Sequence, residues 1–374
     1  MALRLIVACG GTGGHSFPGL AVAAELASRG HEVTVWMSGR DVESSVLRGW
    51  RGSVFATGAK QLSFRNAFAN MRSIWRCRRE MKRAKPDALL AMGSYSSLPP
   101  VLAAARCRVP VVLHEANTVP GRAIDFLSHF ASSIAISFAK TAEYFNGKET
   151  VLTGLPVRTD IAGQPPFDDV PADAFRVFVT GGSQGAHKVN ELASKALVML
   201  NRDLGSRGRK LYVIHQTGER DEADIARAYA AAGMTARVNA FEHEMGRAFA
   251  TADVVVARAG ASTCFELALT GKPAFMIPLP TAMRNHQHYN AAAFAERQAA
   301  AEGQQDELTP RTLANWLLHK AENRYSLAEM SRKISALAMP DAAAKVADLV
   351  ELAANGRSND KARSPGAPEG GREE

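Results

Sequence analysis

Two glycine turns carry the first chemical signal. Gly10-Gly-Thr-Gly-Gly-His15 directly follows an apolar run and precedes a helical pattern. Glycines let a backbone approach a ligand closely, and the next helix start offers unpaired N–H groups at a positive dipole end. A dinucleotide fingerprint would need G-x-G-x-x-G and an acid closing the second strand to hold a ribose. Here Ser16 stands where the third glycine belongs, and the second strand ends Trp36-Met-Ser-Gly-Arg40. NAD binding is disfavoured, and an NADP variant survives only weakly. Gly181-Gly-Ser-Gln-Gly185 repeats the turn later in the chain. Ser183 can donate to a phosphate and the surrounding N–H groups can cradle one. No Gly-Lys-Ser/Thr follows, and Lys188 comes too late to serve a Walker loop. A diphosphate held without that lysine points to a nucleotide-sugar rather than to phosphoryl transfer from ATP.

A third constellation runs from Arg258-Ala-Gly-Ala-Ser-Thr-Cys-Phe-Glu266 through Pro273–Pro280 to Asn285-His-Gln287 and Asn290. A small-residue turn after a buried strand admits a ligand. Glu266, early in the next helix, can accept two hydrogen bonds from a ribose diol; as a plain helix-start acid it would only answer the dipole. The polar cluster at 285–290 can read sugar hydroxyls.

The elements that must position these residues alternate. Leu3–Cys9, Glu32–Met37, Ala88–Ala91 and Pro110–Leu113 read as strands buried on both faces, with a helix over Pro18–Arg29 between the first two. Such alternation predicts a parallel sheet covered by helices. The pattern restarts with Arg176–Thr180, a helix through Asn190–Leu200, and the runs Leu211–His215, Asp253–Ala257 and Pro273–Ile277. Gly154 to Phe167, rich in Gly and Pro, suits a hinge. The expected fold class is therefore α/β, with two doubly wound Rossmann-like domains facing a central cleft. They cover 1–157 and 158–336, with a helix over 337–354 returning to the first. Residues 355–374 read as a disordered tail.

At 374 residues the chain holds two such cores. Its four cysteines, Cys9, Cys77, Cys107 and Cys264, lack CxxC or CxxH spacing, which disfavours a disulfide framework or a metal site. No run approaches the roughly 20 apolar residues that span a bilayer, and the N-terminal run lacks the length and cleavage site of a signal peptide. A formal charge of +8 asks for an anionic partner. Its location is informative. Phe64, Phe68, Met71 and Trp75 share a helical face, beside a stripe formed by Arg65, Arg72, Arg76, Arg79 and Arg83. An apolar face flanked by arginines suits an interfacial helix on anionic lipid, whereas a helix packed on its own sheet would also show an apolar stripe. Nucleic acid could use the same charges, but no recognised nucleic-acid fold accompanies them.

Six motifs fall in one order: GGTGGH at Gly10–His15, GSYSSLPP at Gly93–Pro100, HEAN at His114–Asn117, LPVR at Leu155–Arg158, GGSQGA at Gly181–Ala186, and the RAGASTCFE…NHQ block. This layout resembles the UDP-sugar glycosyltransferases of the GT-B fold, family 28, over nearly the whole chain. The resemblance implies transfer of N-acetylglucosamine from UDP-GlcNAc to the C4 hydroxyl of MurNAc-pentapeptide on undecaprenyl diphosphate, in peptidoglycan synthesis. It also implies a peripheral enzyme on the cytoplasmic face of the bacterial inner membrane. An anionic membrane surface and proteins of cell-wall synthesis or division would be its partners, without nucleic acid, cofactor or metal. The first domain would face acceptor and membrane, and the second would bind the donor.

Residue by residue, the resemblance places Thr12, Gly13 and Gly14 against the donor sugar and diphosphate, and Asn117 on the N-acetylglucosamine. It places Arg158 and Ser183 on the diphosphate and the Glu242 backbone at the uracil edge. Ala261, Ser262, Thr263, Cys264 and Phe265 would line the nucleotide pocket, with Glu266 on the ribose and Gln287 on the sugar. Ala116 departs from the family's usual glutamine, and Glu242 stands where an apolar residue is common. The family chemistry is one inverting displacement, for which His15 is the candidate base and His114 and Glu115 the alternatives. A different UDP-sugar glycolipid transferase, a UDP-GlcNAc 2-epimerase and a non-enzymatic sugar-nucleotide sensor are the rival readings. Epimerisation would need several carboxylates around the sugar.

Overall fold

The computed structural model describes every residue except 12, 40–46, 48, 62 and 364–374. Thr12 and most of the tail therefore lie outside the described residues. The first half builds a seven-stranded sheet from β1 (Arg4–Ala8), β2 (Glu32–Met37), β3 (Ser53–Ala56), β4 (Ala88–Ala91), β5 (Val111–Glu115), β6 (Ser133–Ile136) and β7 (Thr150–Leu152), in the order β3-β2-β1-β4-β5-β6-β7. The second builds six strands: β8 (Ala174–Thr180), β9 (Lys210–Gln216), β10 (Thr235–Asn239), β11 (Val254–Ala257), β12 (Ala274–Met276) and β13 (Ala300–Glu302), in the order β10-β9-β8-β11-β12-β13. The neighbouring strands run parallel. The central strands β4, β5 and β11 are buried along their whole length; β4 and β11 are unbroken apolar runs, and β5 ends on a buried His114 and Glu115.

Strand order reverses between β1 and β4 and again between β8 and β11. Crevices outside the carboxyl ends at such switch points are where open α/β sheets bind ligands. The turn at 10–15 leaves β1, and the turn at 181–186 leaves β8. Two glycines are demanded by contact. A Cβ on Gly19 would sit 2.2 Å from Cys9 Cβ, so the helix Gly13–Ser28 packs directly on β1 only because that position is bare. Gly185 has φ +71, and a Cβ there would lie 1.9 Å from Thr217 O.

One apolar core spans both halves. Ala116, Phe138 and Leu155 pack with Phe178, Phe249, Phe265 and Phe294. The last helix, Ala342–Arg363, returns to the first sheet, where Val346 and Val350 join Leu5, Val22 and Leu26. Full burial of each such side chain contributes about 1.5–3 kcal/mol. At the rim Arg29 holds Asp348 at 2.6 Å and Glu351 at 3.2 Å. The helix runs through Arg363, nine residues further than the sequence pattern suggested.

Candidate active site

On the first wall the glycine turn is pinned from below. Ser96 Oγ donates to Gly10 O, Ser97 Oγ donates to Gly93 O, and Ser16 Oγ donates to Cys9 O at 2.8 Å. His15, in the first turn of the following helix, places Nδ1 2.9 Å from Met92 O. A carbonyl can only accept, so Nδ1 carries the proton and Nε2 carries the lone pair. Burial lowers the His15 pKa from its ordinary value, and the neighbouring His286 adds to this, while the Met92 bond opposes it. The imidazole is thus neutral at pH 7 and able to accept a proton.

His114 and Glu115 close β5, two residues beyond the strand end read from sequence. His114 is 1% exposed, with Nε2 3.1 Å from Gly154 O, and burial drives its pKa down to about 4. Glu115 accepts from Asn117 N at 2.8 Å and Gly121 N at 3.0 Å, one through each carboxylate oxygen. Burial raises its pKa and these bonds oppose the shift. Glu115 shapes the loop at 115–121, His114 ties β5 to Gly154, and both side chains are buried.

Across the cleft, the turn at 181–186 is equally braced. Gln216 Nε2 donates to Gly182 O at 2.8 Å, and Gly182 N donates to Thr180 Oγ1 at 3.2 Å. Ser183 is exposed at its tip, and the helix His187–Gly205 begins without a side-chain cap. Its first N–H groups are left for an anion. Arg158, from the linker, lies over the Phe17 ring at 5.4 Å and so joins the two walls. Burial pushes the pKa of Glu266 up to about 7; the Arg158 charge pulls it down and Asp160 pushes it up. Gln287 Oε1 accepts from Leu279 N at 3.0 Å, which leaves its amide donors for a ligand.

Asn290, read from the sequence as part of a polar cluster for sugar hydroxyls, is instead bonded wholly within the protein. Fully buried, it accepts from Thr118 N at 2.9 Å and donates to Asn117 Oδ1 and Ala259 O, both at 3.1 Å. It latches the two halves at the base of the cleft. A residue given no role from sequence is Arg258, whose guanidinium binds Ile277 O at 3.1 Å, Pro278 O at 2.9 Å and Gln305 Oε1 at 2.6 Å. Those bonds fix the segment that carries Leu279, and through it Gln287.

Two family models match the two halves: the glycosyltransferase family 28 N-terminal domain over residues 5–136 and its C-terminal domain over 176–346. A Geobacter metallireducens protein is 37% identical over 364 residues, covering 92% of this chain and 97% of its own length. It is named UDP-N-acetylglucosamine--N-acetylmuramyl-(pentapeptide) pyrophosphoryl-undecaprenol N-acetylglucosamine transferase. The chain belongs to glycosyltransferase family 28. Among solved family structures, the Acinetobacter baumannii MurG crystal structure is 31% identical with a TM-score of 0.77, covering 94% of this chain and all of the other. A UDP-GlcNAc 2-epimerase from Neisseria meningitidis, 11% identical with a TM-score of 0.66 over 94% of this chain and 100% of that one, shares the fold alone.

Several family-implied positions need adjustment. Cys264 and Phe265 turn their side chains into the core at 0% and 5% exposure, so only their backbone is available to a nucleotide. Ala261 is likewise buried, while Ser262, Thr263 and Glu266 are partly exposed. Glu242 is buried with Asn239 Nδ2 at 2.9 Å, Glu244 N at 2.9 Å and Arg237 Nε at 3.3 Å, which explains an acid where the family favours an apolar residue. Its side chain is occupied. Asn117 already spends one bond at each end of its amide, on Glu115 and Asn290. Gly13 and Gly14 open the helix that follows β1.

The basic segment is the clearest surface feature. Helix Ala67–Ala84 buries Asn70, Ser73, Cys77 and Met81. Its opposite face, with the preceding turn, leaves Phe64, Phe68, Met71 and Trp75 at 103%, 72%, 66% and 65% exposure. The apolar stripe therefore does not pack on the sheet. Arg72, Arg76 and Arg79 are exposed beside it. No helix among the described residues is long and apolar enough to cross a membrane.

Proposed function

We propose that this chain transfers N-acetylglucosamine from UDP-GlcNAc to the C4 hydroxyl of undecaprenyl-diphosphate-linked MurNAc-pentapeptide, with inversion. Family membership supports donor and acceptor. The observation that carries the chemistry is the neutral His15: Met92 O holds its Nδ1 proton, Nε2 is left as the basic atom, and the His286 charge of the second half reaches it. The acceptor oxygen attacks the anomeric carbon from the face opposite the diphosphate. The carbon–oxygen bond to UDP breaks as the new one forms, and His15 Nε2 takes the acceptor proton. Negative charge developing on the departing diphosphate falls on Arg158, Ser183 and the helix start after Ala186, donors already in place before reaction. Glu266 takes the ribose and Gln287 the sugar.

The exposed Phe64–Trp75 face with its arginines supports docking on an anionic bilayer, where the acceptor resides. On this reading the enzyme works peripherally on the cytoplasmic face of the inner membrane. Epimerisation is not favoured, since Glu115, the carboxylate beside Asn117, has both oxygens tied to backbone N–H groups. Following UDP release with and without the lipid-linked acceptor tests the reading. Release that depends on acceptor supports it; isomerised UDP-sugar without acceptor would overturn it.

A further inference from the structure

A cavity of about 110 Å³ lies between the two halves and opens to solvent. Phe138 and Leu152 line it from the first half, Phe265 and Phe294 from the second, and Leu337 and Met339 from the returning segment. The three phenylalanines meet edge to face, with ring centroids 5.2 to 6.4 Å apart. Space of this order takes part of an acyl chain, and the open mouth leaves room for the remainder. One lining residue is out of place in an apolar pocket. Ser137 is 2% exposed, and its Oγ has no hydrogen-bond partner. An orphaned buried hydroxyl costs about 1–3 kcal/mol unless something binds it.

The lining is also charged at Lys140 and Arg297. Lys140 is neutralised by Glu296 at 2.8 Å. Arg297 donates only to Ala293 O, at 2.8 Å, and forms no salt bridge among the described residues, and the one Glu296 carboxylate its charge reaches already pairs with Lys140, so one net positive charge remains. The pocket thus joins an apolar interior, one unused hydroxyl and one uncompensated cation. A single positive charge matches a carboxylate better than a dianionic phosphate.

We propose that this cavity binds a medium-chain monocarboxylate, with its chain among the phenylalanines and its head on Arg297, and that occupancy is felt at the donor site. The route is short: Phe265 is a cavity wall, and its sequence neighbour Glu266 lies within reach of the Arg158 charge. The coupling rests on the donor-site reading above; binding itself does not.

Octanoate is the probe, observed by ligand-detected NMR on the full chain. Saturable binding is expected, lost in Ala293→Trp, which fills the cavity, and roughly tenfold weaker in Arg297→Gln, an exposed position safe for folding. Octanol should bind more weakly than octanoate. Binding unchanged by both variants overturns the site. So does binding lost in Phe68→Ser/Trp75→Ser, which would assign the acid to the exposed helix. Octanoate should also shift the KM for UDP-GlcNAc in the unaltered protein, at roughly tenfold higher octanoate in Arg297→Gln, and not in Ala293→Trp. Intact octanoate binding with an unmoved KM overturns the coupling. Absence of any UDP binding would instead indict the donor-site reading.

Discussion

His15 Nδ1 sits 2.9 Å from Met92 O, and this one contact decides which ring nitrogen can act. Because the carbonyl holds the Nδ1 proton, Nε2 is the basic atom. His15→Ala should cut kcat by about 100- to 10,000-fold, the usual worth of a general base, while UDP affinity stays nearly unchanged. Isothermal titration beside steady-state rates reads both. The neutral ring is the active form and its pKa is lowered, so kcat should hold to a lower pH than an ordinary histidine allows and then fall. Unchanged turnover in His15→Ala would remove it as the base.

Glu266 sets a second pH dependence. Its free carboxyl titrates at about 7, and ribose hydroxyls donate to the ionised form, so nucleotide binding must lower that pKa. UDP affinity should be full above pH 7 and fall as pH drops, approaching about tenfold per unit. Proton release on binding, measured in buffers of different ionisation enthalpy, should vanish in Glu266→Gln.

The Asn290 latch predicts a graded loss. Asn290→Ala leaves Thr118 N and Ala259 O unpaired in the interior, which costs about 1–3 kcal/mol per stranded group. Asn290→Asp should be worse, since it opposes a carboxylate to Asn117 Oδ1 and Ala259 O. Thermal unfolding orders the three proteins, and an Asp variant as stable as the parent would refute the assigned amide orientation.

Trp75→Ser with Phe68→Ser should leave thermal stability within about 0.5 kcal/mol of the parent, because both side chains are exposed. Sedimentation with anionic vesicles should drop sharply. Replacing Arg72, Arg76 and Arg79 should cost about 1 kcal/mol of vesicle binding each, and the effect should fade with salt. Binding indifferent to lipid charge would count against the docking surface.

Much of this architecture could be read from residues alone, for a physical reason. Interior strands such as β4 and β11 are unbroken apolar runs because both faces are covered. The turns after β1 and β8 are visible because glycine is required at Gly11, with φ +123 and Ser94 close by, and at Gly185, where a Cβ would meet Thr217 O. Edge strands escaped: β3 is largely exposed and β7 and β13 are three residues each, too short for a period to register. The Asn290 contact with Asn117 joins positions 173 apart, beyond any local pattern. Cys264 and Phe265 were misdirected because a motif names residues without fixing the helical phase. The Phe64–Trp75 face was ambiguous for the same reason: periodicity finds a stripe but not what lies against it.

The homeward course of the final helix constrains motion. The polypeptide departs the first half after Leu152 and re-enters it at Ala342, where Arg29 clasps Asp348. Two backbone crossings, unlike a lone tether, deny the donor half free swivelling. Whatever opening admits UDP-sugar must resemble a jaw turning about the line through both crossings, with residues near 153 and 340 absorbing the torsion.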